Sequence, residues 1–187
     1  MARVLLGVTG GIAAYKAVLA CRELLGRGHE VKVVMTEAAQ RFVGPITFGA
    51  LMGEPPVTSL WDARHDGEVH VELAEWADVM VLAPATANTM ARAVHGLADD
   101  ALSATWLCFD GVRIVAPAMH HRMWDQAATQ RNVAQLVADG VVIAGPVEGR
   151  LANGAVGIGR MMEPVDIVDV VEAALRTPGE ADLHPPS

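Results

Sequence analysis

Cysteine is scarce. The 187 residues hold two, Cys21 and Cys108, far apart in segments of helical pattern and in no C-x-x-C pair. That excludes a disulfide framework or a cysteine-held metal as the organising element, and both read as buried thiols. Positive charge is also thin: 14 Lys and Arg face 22 Asp and Glu, for a net charge of −8, and no basic cluster forms. Nucleic acid is thereby a poor partner, and the acidity serves solubility. Long apolar runs are missing too, each stopping at strand length on Gly, Pro or charge, which argues against a membrane span. The segment Arg3 to Val8 is too short for a secretory signal and runs straight into a glycine turn, so a cytoplasmic location is expected. No internal repeat or second core is visible.

An apolar fraction of 52% does suit a compact protein, and the length supports one domain with a sizeable core. That domain is expected over 1–176, with 177–187, rich in Pro, Gly and acidic residues, as a disordered tail. Strand-like and helix-like segments alternate. Strands are expected at Arg3 to Thr9, Glu30 to Thr36, Asp78 to Pro84, Val112 to Pro117 and Val141 to Ala144. Helices are expected at Ile12 to Arg27, Glu37 to Val43, Pro45 to Gly53, Ala87 to His95, Ala98 to Phe109, Thr129 to Asp139 and Val165 to Arg176. Glu54 to Glu68 reads as an irregular loop. Strands separated by helices imply a single doubly wound α/β domain, Rossmann-like or flavodoxin-like, with a mostly parallel sheet. Such sheets bind ligands at the carboxyl ends of their strands.

Three signals fall at those ends. Gly10-Gly11 closes the first strand and opens a helix whose free N–H groups suit a phosphate. The spacing is not G-x-G-x-x-G, so a mononucleotide with one phosphate fits better than NAD. Pro84-Ala85-Thr86-Ala87-Asn88-Thr89 follows the third strand; its hydroxyls and amide can cap a helix or meet a ring with several polar edges, such as a flavin. Pro117 to Trp124 follows the fourth, where Met119 and Met123, four apart, read as core or as pocket, and Trp124 as a packing anchor. Trp61 and Trp76 read as packing residues, and His29, His95 and His184 as surface ones. The glycine-rich segment ending at Arg160-Met161 reads either as a mobile clamp or as a surface loop.

These residues carry a resemblance. P-A-T-A-N-T at Pro84 to Thr89, P-A-M-H-H-R-M-W at Pro117 to Trp124 and the histidine His70 opening H-V-E-L resemble the motifs of the homo-oligomeric flavin-containing cysteine decarboxylases. That family includes phosphopantothenoylcysteine decarboxylase and the decarboxylases of carboxy-terminal cysteines in lantibiotic-type precursor peptides. The resemblance runs from Arg3 to about Pro164. It implies an FMN enzyme, a homotrimer or homododecamer with the flavin between subunits. By the same resemblance Gly10, Gly11 and Thr36 lie near the phosphate, and Pro84, Thr86, Asn88 and Thr89 near the ribityl chain or ring, with Phe42 and Ser103 in that pocket. His70 is the implied base, with His65 as fallback, and Met119, His120, Met123, Trp124 and Asn153 meet the substrate.

Two positions depart from the family pattern. Asn153 stands where phosphopantothenoylcysteine decarboxylases carry a cysteine that protonates the enethiol product, and His120 replaces an asparagine that binds the substrate carboxyl end. An amide does not readily protonate carbon, so the expected reaction is the oxidative decarboxylation of a carboxy-terminal peptidyl cysteine to an aminoenethiol. The alternatives are phosphopantothenoylcysteine decarboxylase and a non-catalytic flavin-binding regulatory subunit. Expected partners are a cysteine-terminated peptide or phosphopantothenoylcysteine, with no nucleic acid, membrane or metal.

Overall fold

The computed structural model describes residues 1–65, 67–150, 154 and 156–176. In chain order these give β1 (Arg3–Val8), α1 (Ala14–Gly26), β2 (Glu30–Met35), α2 (Glu37–Gln40), α3 (Pro45–Met52), α4 (Val69–Trp76), β3 (Val79–Ala85) and α5 (Ala87–His95). There follow α6 (Ala101–Cys108), β4 (Val112–Pro117), α7 (His121–Trp124), α8 (Ala127–Ala138), β5 (Val142–Ile143), β6 (Val147–Arg150), β7 (Val156–Arg160) and α9 (Pro164–Leu175).

Strands β1 to β5 form one parallel sheet in the order β2-β1-β3-β4-β5, the doubly wound architecture expected. Its strands are apolar on both sides because both faces are covered. Val4, Leu6 and Val8 of β1 join one core with Ala17, Cys21 and Leu24 of α1 and Ile167, Val168 and Val171 of α9. Leu5 points the other way and joins Leu73 of α4, Met90 of α5, Leu102 of α6 and Leu136 of α8. This two-residue alternation sets the register of the layers. From β1 the chain moves to β2 on one side and later to β3 on the other, so the switch point lies between β1 and β3.

One omission and four expectations need correction. His70 lies in the first turn of α4, a helix in the stretch left unassigned between the Glu54 to Glu68 loop and the third strand; its start carries no capping side chain, while Val69 and Leu73 bury one face. The glycine-rich segment contains an antiparallel hairpin, β6 with β7. Cys108 ends α6 and is exposed, whereas Cys21 is buried. Trp61 is 89% exposed and His29 is buried, its Nδ1 accepting from Ala2 N at 3.3 Å and its Nε2 lying 3.4 Å from Glu172. The expectations for Asn153, His184 and the 177–187 tail lie outside the described residues. Among those residues, no helix is long and apolar enough to cross a membrane.

Candidate active site

The connection after β1 is fixed by Thr9, which is buried. Its hydroxyl donates to Pro84 O at 2.6 Å and accepts from Thr86 N at 3.3 Å, tying the carboxyl ends of β1 and β3 together at the switch point. Gly10 must lack a side chain, because a Cβ there would stand 2.4 Å from Ala38 Cβ and 2.9 Å from the Ala38 carbonyl carbon. At Gly11 the nearest atom to such a Cβ is Thr86 Cγ2 at 3.9 Å. The first glycine therefore serves close packing on α2, and the second keeps space open in front of α1.

After β3, Thr86 caps α5: its Oγ1 accepts from Thr89 N at 3.2 Å and lies 3.0 Å from Thr89 Oγ1. After β4, Ala118 N donates to Ala85 O at 3.0 Å, and Met119 N donates to Gly159 O at 2.9 Å, which docks the hairpin against the strand ends. That docking requires glycine, since a Cβ on Gly159 would meet Met119 O at 2.2 Å and one on Gly157 would meet His121 Cβ at 3.0 Å. His120 caps α7, its Nδ1 accepting from Arg122 N at 3.2 Å. This leaves Nε2–H as the ring's donor. The His120 and His121 rings lie 4.2 Å apart.

These connections enclose a cavity of about 610 Å³, within the range of about 300–1,000 Å³ typical of small-ligand sites. The β1–α1 turn and first helical turn supply Gly10 to Ala13, Tyr15 and Lys16; Thr86 and Ala87 stand beside them, and Ala118 to His120 with Met123 face the hairpin residues Arg150 and Gly159 to Met161. The wall is mostly apolar, and among the described residues its formal charges are the cations Lys16, Arg150 and Arg160, with no carboxylate. Lys16 is only 5% exposed. Its ammonium donates to Met161 O and to Glu163 Oε1, both at 3.0 Å, and Arg160 pairs with the same Glu163 oxygen. The Lys16 ammonium, then Arg160, hold the Glu163 carboxyl below its ordinary range.

Of the residues expected at the site, the cavity gathers Gly10, Gly11, Thr86, Met119, His120 and Met123. Others lie off it. Thr36 caps α2 by accepting from Ala39 N at 3.2 Å, and Phe42 is exposed. Pro84 is buried in β3, Asn88 is exposed, and Thr89 is buried beneath the α5 cap. Ser103 is committed to a capping box with Asp100, its hydroxyl 2.8 Å from Oδ1. Trp124 packs against the core on the α5 and α6 side. His70 is half-buried outside the cavity lining, and its Nδ1 has no hydrogen-bond partner among the described residues. The fallback, His65, lies 2.6 Å from Glu72, also outside that lining.

Sequence reasoning missed Lys16 and Arg150. A lysine four residues before Ala20, on a face otherwise read from alanines, was a signal for the first. No comparable signal marked Arg150.

Comparison with known proteins adds to this geometry. The family model described as Flavoprotein matches residues 1–176. The chain is 46% identical over 171 residues to the coenzyme A biosynthesis bifunctional protein CoaBC of Vibrio vulnificus, covering 91% of this chain and 43% of that protein. It is 44% identical over 172 residues to the CoaBC of Escherichia coli K12, covering 91% and 42%. The chain thus spans less than half the length of these curated relatives. Among solved structures, the FMN-dependent cysteine decarboxylase SpaF superposes with a TM-score of 0.81 at 37% identity, covering 94% of this chain and 95% of that one. A PPC decarboxylase variant with a cysteine replaced by serine, complexed with pantothenoylaminoethenethiol, gives 0.82 at 33% identity, covering 92% and 97%. The peptidyl-cysteine decarboxylase EpiD shares the fold, with a TM-score of 0.77 at 19% identity over 91% of this chain and 98% of that one.

Proposed function

From the premise that the chain belongs to the Flavoprotein family and to its FMN-dependent cysteine decarboxylases, we propose that it decarboxylates the cysteinyl carboxylate of phosphopantothenoylcysteine. The observation that carries this reading is a cavity whose described lining holds no carboxylate and three cations, of which Arg150 is not paired with Glu163, in a chain of net charge −8. It suits a substrate bearing both a carboxylate and a phosphate. The 44–46% identity to CoaBC proteins across nine-tenths of the chain supports the same choice.

The residues present fit FMN. Gly11 leaves the space before α1 open, where a Cβ would find nothing nearer than 3.9 Å, and the first turn of a 13-residue helix offers its N–H groups there to a phosphate. When bound, FMN would accept two electrons from the substrate thiol, so that loss of CO2 leaves its charge on sulfur, and would return them to the product, making the overall change loss of CO2 alone. The chain's own residues do the rest. His120, on the cavity wall, orients the carboxylate end. Met119 and the alanines around it give the carboxylate an apolar wall, which disfavours its charge relative to the neutral CO2 that leaves. His70 takes the thiol proton. Because His70 stands off the cavity of its own chain, it serves the cavity of a neighbouring subunit in a homotrimer or a dodecamer of trimers.

A second reading, oxidative decarboxylation of a peptide ending in cysteine, is favoured by one specific observation, Asn153 in place of the family cysteine. The test is a side-by-side measurement of kcat/KM and product mass for phosphopantothenoylcysteine and for peptides ending in cysteine. Higher kcat/KM on phosphopantothenoylcysteine supports the proposal. Turnover confined to the peptides, with loss of CO2 and two hydrogens, replaces it with the second reading.

A further inference from the structure

The three cations of the cavity are not equivalent. Lys16 and Arg160 converge on one oxygen of Glu163, and Lys16 also donates to Met161 O, so both are engaged in holding α1 to the segment after β7. Arg150 ends β6, is exposed, and has no carboxylate within 4.0 Å among the described residues. It stands on the hairpin that Gly157 and Gly159 hold against the strand ends. A guanidinium that has no carboxylate partner among the described residues, on the wall of a cavity whose described lining holds no acid, is poised for an anion that arrives with a ligand.

Three anionic groups would enter this cavity. The cofactor phosphate is suited to the amino terminus of α1. The cysteinyl carboxylate is a poor match for Arg150, because its charge leaves as CO2 is lost; a tight pair there would hold the ground state more firmly than the transition state and slow the reaction. The remaining anion keeps its charge throughout. We propose that Arg150 recognises the phosphomonoester at the end of the substrate remote from its cysteine, an inference that rests on the phosphopantothenoylcysteine reading. Arg150 is thereby a specificity residue that binds ground state and transition state alike, and it acts on KM.

The test compares phosphopantothenoylcysteine with its dephosphorylated form, pantothenoylcysteine, on the FMN-loaded wild type, R150Q and R150K. Calorimetry of phosphopantetheine and pantetheine binding to the same proteins gives a readout independent of turnover. The wild type should prefer the phosphorylated substrate by about 10- to 100-fold in kcat/KM, the worth of a charge-assisted hydrogen bond. R150Q should lose that preference in both assays, R150K should keep part of it, and FMN content should be the same in all three. A wild type indifferent to the phosphate, or an R150Q that still discriminates, overturns the inference while leaving the substrate reading in place. Loss of FMN from R150Q assigns the residue to the cofactor and overturns it as well. Failure of the wild type on both pantothenoyl compounds, with turnover of a cysteine-ended peptide, overturns the substrate reading and the inference together.

Discussion

Replacing Glu163 by alanine should destabilise the protein more than replacing Lys16 by methionine, although the two side chains share one ion pair. The pair is lopsided: the Lys16 side chain is 6% exposed and that of Glu163 is 46% exposed. Removing Glu163 leaves a buried ammonium with Met161 O as its remaining bond. Stripping one partner from a fully buried pair costs about 3–5 kcal/mol, and water admitted at the open Glu163 side reduces this to about 2 kcal/mol. Removing Lys16 is gentler. A methionine fills similar volume, Glu163 keeps Arg160 and its own solvent, and the desolvation of the ammonium disappears. What remains is Met161 O without its donor, at a cost of about 1 kcal/mol. In K16M/E163A the buried charge is gone, so the double variant should match K16M within about 0.5 kcal/mol. Urea unfolding at constant m-value reports all three. A K16M less stable than E163A, or a double variant equal to the sum of the singles, would refute the reasoning.

Burial pushes the Cys21 thiol up to about 11, whereas Cys108 is exposed. Alkylation of the folded protein at mildly alkaline pH should therefore add one iodoacetamide adduct, on Cys108, and mass spectrometry showing two would contradict the burial of Cys21. Hydrogen bonds from Arg64 hold Asp62 down to about 2; Arg3 lowers Asp78, and His29, then Arg27, lower Glu172. Groups depressed in the folded state stabilise fully above their unfolded values of about 4 and lose that contribution as pH falls through the folded ones. The urea midpoint should thus hold from neutral pH to about pH 4.5 and fall below it; a midpoint that rises on acidification would show the sign to be wrong. For His70, H70N and a cavity-blocking G11W variant should each be inactive alone and regain CO2 release when refolded together, because mixed assemblies restore some complete sites. An inactive mixture would place His70 outside a shared site.

The strands were legible because burial on both faces leaves apolar runs bounded by glycine or proline. β1 to β4 fall within a residue of the boundaries read from the sequence. α4 was not legible: its eight residues lack a side-chain cap, and its helical register comes from packing Val69 and Leu73 into the core. The β6–β7 hairpin was hidden for a related reason. Gly149 pairs with Gly157, residues of low strand preference, and the segment's place in the site comes from contacts with Met119 and His121 made far along the sequence. The site divides the same way. Gly10, Gly11, Thr86, Met119 and His120 could be placed because each follows the carboxyl end of a sheet strand, where a doubly wound sheet gathers its ligands. Thr36 and Ser103 offered hydroxyls that their own helices consume as caps. Arg150 is a charge whose meaning depends on which charges surround it in space, and no local pattern records that.

The most direct test of the central claim is to supply the FMN-loaded protein with phosphopantothenoylcysteine isotopically labelled in the cysteinyl carboxylate and to follow labelled CO2 against substrate consumed. The account predicts one labelled CO2 for each substrate lost, with G11W releasing none. Label retained in the organic product, or intact substrate in the presence of bound FMN, would contradict it.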